Sequence, residues 1–199
     1  MIVITNPIPV ANEINTIHSL FENGLELLHI RKPDFSEAEM KSFLSKIKTV
    51  YRQQLVLHSH HQLATAFGIN RLHLNENIRK EIYPETLYLY NEQGVRLSTS
   101  THNIDSFNDL RLFFEYGFLS PVFPSVSKTN YQSNIDLFES IKNRTNFSTK
   151  LVALGGLSPA NIRKTLSSGF DDIAILGSIW NVNNPIENFK LCQQIALSY

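Results

Sequence analysis

Cysteine is nearly absent from this chain. Cys192 is the only one in 199 residues, so no intramolecular disulfide can form and a reducing compartment fits. Net charge is absent too: 18 Lys and Arg balance 18 Asp and Glu. No basic stripe offsets that balance locally, which argues against nucleic acid as a partner. No stretch approaches the ~18 uninterrupted apolar residues of a membrane span. The start, MIVITNPIPV, has neither a basic leader nor a small-residue cleavage pattern. A cytoplasmic protein without a membrane partner is therefore expected. Linkers and low-complexity segments are also missing, so a single domain over residues 1–199 is expected. These features leave homo-oligomerisation open.

What is present is an alternation of short β-rich apolar runs with longer segments of helical period. That pattern argues for parallel strands joined by crossover helices. The candidate strands are IVIT from Ile2, LELLHI from Leu25, QLVLHS from Gln54, RLHL from Arg71, VRLSTS from Val95, FLSPVF from Phe118, KLVAL from Lys150 and DIAIL from Asp172. Among the helices, SEAEMKSFLSKIKTVY opens on Ser36 with Glu39 three positions on, the spacing of a capping box. In SPANIRKTLSSG, Ser158 is expected as N-cap, Pro159 in the first turn and Gly169 at the end. Eight such units predict an α/β fold, a compact (β/α)8 TIM barrel near the lower size limit of roughly 200 residues. The crossover between Leu74 and Val95 contains Pro84 and no clear amphipathic helix, so a short or irregular connection is expected there.

In such a barrel, function sits where strands end and loops begin. Arg31 and Lys32 close the second strand, a planar fork and a point charge suited to an anion. A solvated charge pair beside Asp34 is the plainer alternative. In the period-2 register His29 and Arg31 share a face while Lys32 points away. His58 and His60 are spaced as two metal ligands could be, although no third ligand is fixed by sequence distance and hydrogen bonding alone would account for them. His73, the single polar residue in its apolar strand, reads as a satisfied interior histidine. Ser100 and His102 could contact a ligand, and Asn103 reads equally well as a helix cap. The irregular loop SPVFPSVSKTNYQSN, residues 120–134, carries Ser125, Ser127 and Lys128, hydroxyls and a cation suited to phosphate. Gly155-Gly156 and Gly177-Ser178 close the seventh and eighth strands. Glycine there serves either a tight turn or backbone N–H groups approaching a phosphate. Two glycine turns in those two places favour phosphate.

With these motifs in order, the chain resembles the thiamine phosphate synthase and TenI family of (β/α)8 barrels over nearly its whole length. SPVFPSVSK is similar to the family's Gly-Pro-[hydrophobic]-Phe-x-Thr-x-Thr-Lys loop, and LVALGGLSPANI to its Gly-Gly-Ile-x-x-x-Asn segment. LSTSTHN is similar to the Gly-x-Ser-x-His region, and LHIRKP to the Arg-x-Lys strand end. The resemblance implies a transferase of thiamine biosynthesis acting on small phosphorylated substrates. It joins an aminopyrimidine methyl diphosphate to hydroxyethylthiazole phosphate with release of diphosphate. It also implies Mg²⁺, and charge stabilisation by Arg31, Lys32, Ser100 and Lys128. Substrate contacts from His58, His102, Ser125, Ser127, Gly155, Gly156, Gly177 and Ser178 complete the expected site. Two aspartates that bind Mg²⁺ in the family's synthases are missing. The matching stretches hold His58-Ser59 and Glu76-Asn77, leaving Glu76, His58 and His60 as replacement metal ligands. The Arg-x-Lys spacing is compressed to Arg31-Lys32, with Pro33 at the lysine position. These departures leave a TenI-like thiazole tautomerase, or a non-catalytic phosphate-ligand-binding barrel, as alternatives.

Overall fold

A computed structural model describes residues 1–123 and 137–199. Eight parallel strands close a barrel in sequence order: β1 (Ile2–Ile4), β2 (Leu27–Ile30), β3 (Leu55–Leu57), β4 (Arg71–Leu74), β5 (Arg96–Thr101), β6 (Phe114–Leu119), β7 (Lys150–Leu154) and β8 (Asp172–Ile175). Closure is by β1 pairing β8, with Ile2 opposite Ala174 and Val3 opposite Ile175. The expected (β/α)8 barrel is what the chain forms, and all eight candidate strands are present.

Helices cover the outside: α1 (Glu13–Glu22), α2 (Glu37–Ser45), α3 (Glu76–Glu81), α4 (Pro84–Glu92), α5 (Ile104–Asn108), α6 (Leu137–Ser140), α7 (Ile162–Ser167), α8 (Gly177–Trp180) and α9 (Pro185–Leu197). Ser36 caps α2 in a complete capping box with Glu39, as its spacing predicts. Asn103 caps α5 by accepting from the Ser106 N–H at 2.8 Å. The doubtful crossover after β4 is two short helices, and Pro84 opens the second, where a missing N–H costs nothing. α7 begins at Ile162 with Asn161, not Ser158, at the cap position. The Asn161 side chain turns back to accept from the Ser158 N–H at 2.9 Å, so residues 158–161 form a turn ahead of the helix.

Strand alternation sorts side chains into two cores. Leu28, Ile30, Leu55, Leu57, Leu72, Leu74, Leu97, Leu151 and Ile173 face outward onto the helices. Ile2, Ile4, Tyr116, Phe118, Val152 and Ala174 pack together inside the barrel. Other inward positions hold Val56 and the polar residues His29, His58, His73, Ser98 and Ser100, and these polar side chains meet one another.

Candidate active site

Parallel strands place all eight carboxyl ends on one face, the mouth of the barrel. Arg31 lies there, one residue past β2, with an exposed side chain. Its backbone is clipped to the end of β1: its N–H donates to the Thr5 hydroxyl at 2.9 Å, and that hydroxyl donates to the Arg31 carbonyl at 3.3 Å.

Lys32 corrects the expectation drawn from its neighbour. Its side chain is fully buried on the outward face of the barrel, where the period-2 register points it. Nζ donates to both carboxylate oxygens of Glu13 at 2.7 Å and to the Ile8 carbonyl at 3.3 Å. Burial pushes Glu13 up and Lys32 down, and the hydrogen bonds between them oppose both shifts. A lysine neutralised in this way offers no charge to a ligand at the mouth.

Inside the mouth lies a histidine cluster. His29 Nδ1 and His58 Nε2 are 2.8 Å apart, and His29 Nε2 is 2.7 Å from the Tyr116 hydroxyl. His73 binds Ser98 through Nδ1 and Ser100 through Nε2, each at 2.9 Å. The His58 and His73 rings stack with centroids 4.1 Å apart, and Phe118 packs on His29 and His73 at 5.0 and 5.1 Å. Burial keeps all three imidazoles neutral. His73 is pushed down to about 3, by desolvation first and then by the positive neighbours His61 and Arg31. His29 and His58 shift in the same direction, again mainly through desolvation. His73 is thus the satisfied interior histidine its strand suggests. No motif singles out His29 or Tyr116 as a site residue; their signal is parity, since each polar group falls on an inward strand position in LLHI and FEYGFL.

His60 does not join His58. β3 ends at Leu57, His60 takes a left-handed φ of 53°, and its Nε2 lies 2.7 Å from the Phe35 carbonyl. Glu76 sits on the rim instead, held by Lys80 Nζ at 2.8 Å and lying 3.8 Å from His102 Nε2. The Lys80 hydrogen bond holds its carboxyl below the usual range. His102 Nδ1 donates to the Ser120 carbonyl at 2.8 Å, which ties the ends of β5 and β6 together. The expected ligand set Glu76, His58 and His60 is therefore not assembled. Mg²⁺ prefers several oxygen ligands, with carboxylates among them. Among the described residues the donors gathered inside the mouth are imidazoles and hydroxyls, and these do not fit that ion.

On the opposite side, Gly155 and Gly156 take φ values of 107° and 63°, a left-handed pair that glycine alone adopts readily. A Cβ on Gly155 would stand 2.9 Å from Pro121 Cα. The Phe123 N–H donates to the Gly155 carbonyl at 3.2 Å. The tight-turn role of this pair is therefore real, whatever ligand it also meets. Gly177 starts α8, and the Ser178 hydroxyl donates to the Leu157 carbonyl, stapling the β7 and β8 loops. Ser125, Ser127 and Lys128 lie outside the described residues.

Comparison with known proteins agrees with this geometry. The family model described as thiamine monophosphate synthase matches residues 1–179. A thiamine-phosphate synthase of Koribacter versatilis (strain Ellin345) is 26% identical over 165 residues, covering 80% of this chain and 76% of that one. One from Desulfitobacterium hafniense (strain Y51) is 22% identical over 179 residues, covering 85% and 83%. The crystal structure of a thiamine phosphate pyrophosphorylase from Bacteroides thetaiotaomicron superposes with a TM-score of 0.75 at 27% identity, covering 98% of this chain and 96% of that one. A pyrophosphorylase from Pyrococcus furiosus, at 17% identity and a TM-score of 0.76 with 99% and 95% coverage, shares the fold. No helix among the described residues is long and apolar enough to cross a membrane. With nine-tenths of its length matched on a closed eight-stranded barrel, the chain belongs to the thiamine monophosphate synthase family.

Proposed function

We propose that the protein is a thiamine phosphate synthase-like transferase, acting in thiamine biosynthesis on small phosphorylated substrates. The family match over residues 1–179 carries this reading. In the reaction, the bond from the pyrimidine methylene carbon to the diphosphate oxygen breaks. The electron pair leaves with diphosphate, and the thiazole nitrogen supplies the pair for the new carbon–nitrogen bond. The main demand on the enzyme is to offset negative charge growing on the leaving oxygen. Arg31, exposed at the mouth, is assigned that role, and its fork suits a diphosphate. Lys128 and the hydroxyls of Ser125 and Ser127 are assigned to the same group. Ser100, whose hydroxyl is bonded to His73 below it, would orient the pyrimidine side. His58 and His102 are assigned to the substrate from the β3 and β5 ends. Backbone groups of Gly155, Gly156, Gly177 and Ser178 are assigned the thiazole phosphate. Since the donors at the mouth do not suit Mg²⁺, charge compensation falls to the cations of the chain.

One observation favours a second reading. A neutral imidazole, His58, stands half-buried at a mouth without the Mg²⁺ carboxylates. Isomerisation of a thiazole carboxylate phosphate, as in TenI-like proteins, needs a proton donor and acceptor and no diphosphate site. The deciding experiment incubates purified protein with the pyrimidine diphosphate and the thiazole phosphate, with Mg²⁺ and with chelator. Thiamine phosphate is expected as product, and Arg31→Ala is expected to lower kcat/KM by at least ~100-fold without changing Tm. Folded protein that forms no product in either condition overturns the transferase reading in favour of the isomerase or a binding-only barrel, which turnover of the thiazole carboxylate phosphate then separates.

A further inference from the structure

We propose that His29, His58 and His73 form a three-nitrogen binding site for one transition cation of the Zn²⁺ class, set inside the barrel and open toward the mouth. One nitrogen from each of these rings lies within 4.8 Å of the other two. The residues come from consecutive strands, β2, β3 and β4, so the barrel wall fixes their separation.

The ring spacings can be compared with those of a metal-bound set. Three imidazoles at ~2.0–2.1 Å from a tetrahedral ion have ring centroids roughly 5.2 Å apart. The His29–His58 and His29–His73 centroids are 5.0 and 5.4 Å apart, at interplanar angles of 74° and 68°. Two of the three pairs therefore already have that spacing. The third, His58–His73, is stacked at 4.1 Å and must open by about 1 Å. His58 is the member free to open it: it lies one residue past the end of β3, and its side chain is only half-buried.

Proton bookkeeping is also favourable. The hydrogen between His29 Nδ1 and His58 Nε2 occupies the place the cation would take. Coordination moves that hydrogen to the other ring nitrogen of its histidine, and no net proton leaves. His29 then donates from Nε2 to the Tyr116 hydroxyl, and His73 donates from its free nitrogen to Ser98 or Ser100. Partners of this kind orient metal-bound histidines and fix their tautomers. Imidazole donors select Zn²⁺, Co²⁺ or Ni²⁺ over Mg²⁺. Among the described residues no carboxylate belongs to the cluster, so the fourth position, facing the mouth near Arg31, favours an anionic oxygen ligand.

The full-length protein, dialysed against chelator, is titrated with Co²⁺ followed by visible absorption and with Zn²⁺ followed by calorimetry. The expected result is one ion per chain at micromolar affinity or tighter, the intense absorption of four-coordinate cobalt, and no competition from excess Mg²⁺. His58→Ala, at the mouth, is expected to weaken binding at least ~100-fold, and Tyr116→Phe roughly 10-fold through the lost partner of His29. His60→Ala is expected to leave binding unchanged. Histidine side-chain NMR on the wild-type protein keeps the test independent of how any variant folds, because only His29, His58 and His73 should shift on Zn²⁺ addition. Absence of binding in this range, retained affinity in folded His58→Ala, or shifts confined to other histidines would each overturn the site and leave a purely hydrogen-bonded cluster.

Discussion

The two halves of the barrel interior hold themselves together by different means. On the β2–β5 side, His29 is tied to His58 and His73 to Ser98 and Ser100 by side-chain hydrogen bonds of 2.8–2.9 Å, and the stacked His58 and His73 rings join the two sets. On the side from β6 round to β1, Phe118, Val152, Ala174, Ile2 and Ile4 pack by contact, and Tyr116 is bonded across the divide to His29. Close packing is indifferent to pH, whereas a hydrogen-bonded imidazole set is held only while its members stay neutral. The histidine-lined half is thus the one whose integrity depends on protonation, and the packed half supplies the rigid wall.

The contrast can be tested from its largest expected consequence downward. Phe118→Ala removes the fully buried ring shared by both halves and should cost ~3–5 kcal/mol in denaturant unfolding. A loss under about 1 kcal/mol would mean that the apolar half is not close-packed. Acid should act on the other half. His73 is neutral in the fold down to about 3, while the unfolded chain takes up a proton near 6.5. Its contribution is therefore complete above pH 6.5 and is lost as pH falls toward 3, at up to ~1.4 kcal/mol per pH unit. His29 and His58 act with the same sign. For metal-free protein, the urea midpoint should fall between about pH 7 and pH 5; a constant midpoint would show that the imidazoles are already hydrated. Gly155→Ala, on the packed side, meets Pro121 Cα at 2.9 Å with φ at 107° and should lower stability by ~1–3 kcal/mol. Smallest is Tyr116→Phe, which removes one hydrogen bond across the divide and should cost ~1 kcal/mol at neutral pH. A neutral result there would show that this hydrogen bond adds nothing to the ring packing that already joins the two halves.

Much of this architecture can be read from strand parity. LLHI, LVLH and RLHL each put an imidazole where the alternation points inward, and the same parity sends Lys32 outward to Glu13. β6 is harder to read: it starts at Phe114, not Phe118, and Glu115 and Gly117 interrupt the apolar run that would reveal this. Both have structural reasons: Glu115 pairs with Arg71 and Arg96, and a Cβ at Gly117 would lie 2.9 Å from Leu110 and 3.1 Å from Phe107. His60 misleads because period-2 spacing stops applying once the strand has ended, and β3 ends with its apolar run at Leu57. Which imidazole meets which depends on the barrel's stagger, and local spacing carries no record of that. At the glycine turns, the Gly155 geometry has a structural reason of its own in the close approach of Pro121.

Trp180 is the chain's single tryptophan. Its indole N–H donates to the Ile4 carbonyl at 2.7 Å, reaching from the helix after β8 to the end of β1. The seam where the first and last strands meet thus carries its own optical gauge. Emission excited selectively at the indole reports on that seam, so a ligand seated against Gly177 should change it, while a Zn²⁺ ion held among the histidines across the barrel should leave it unaltered.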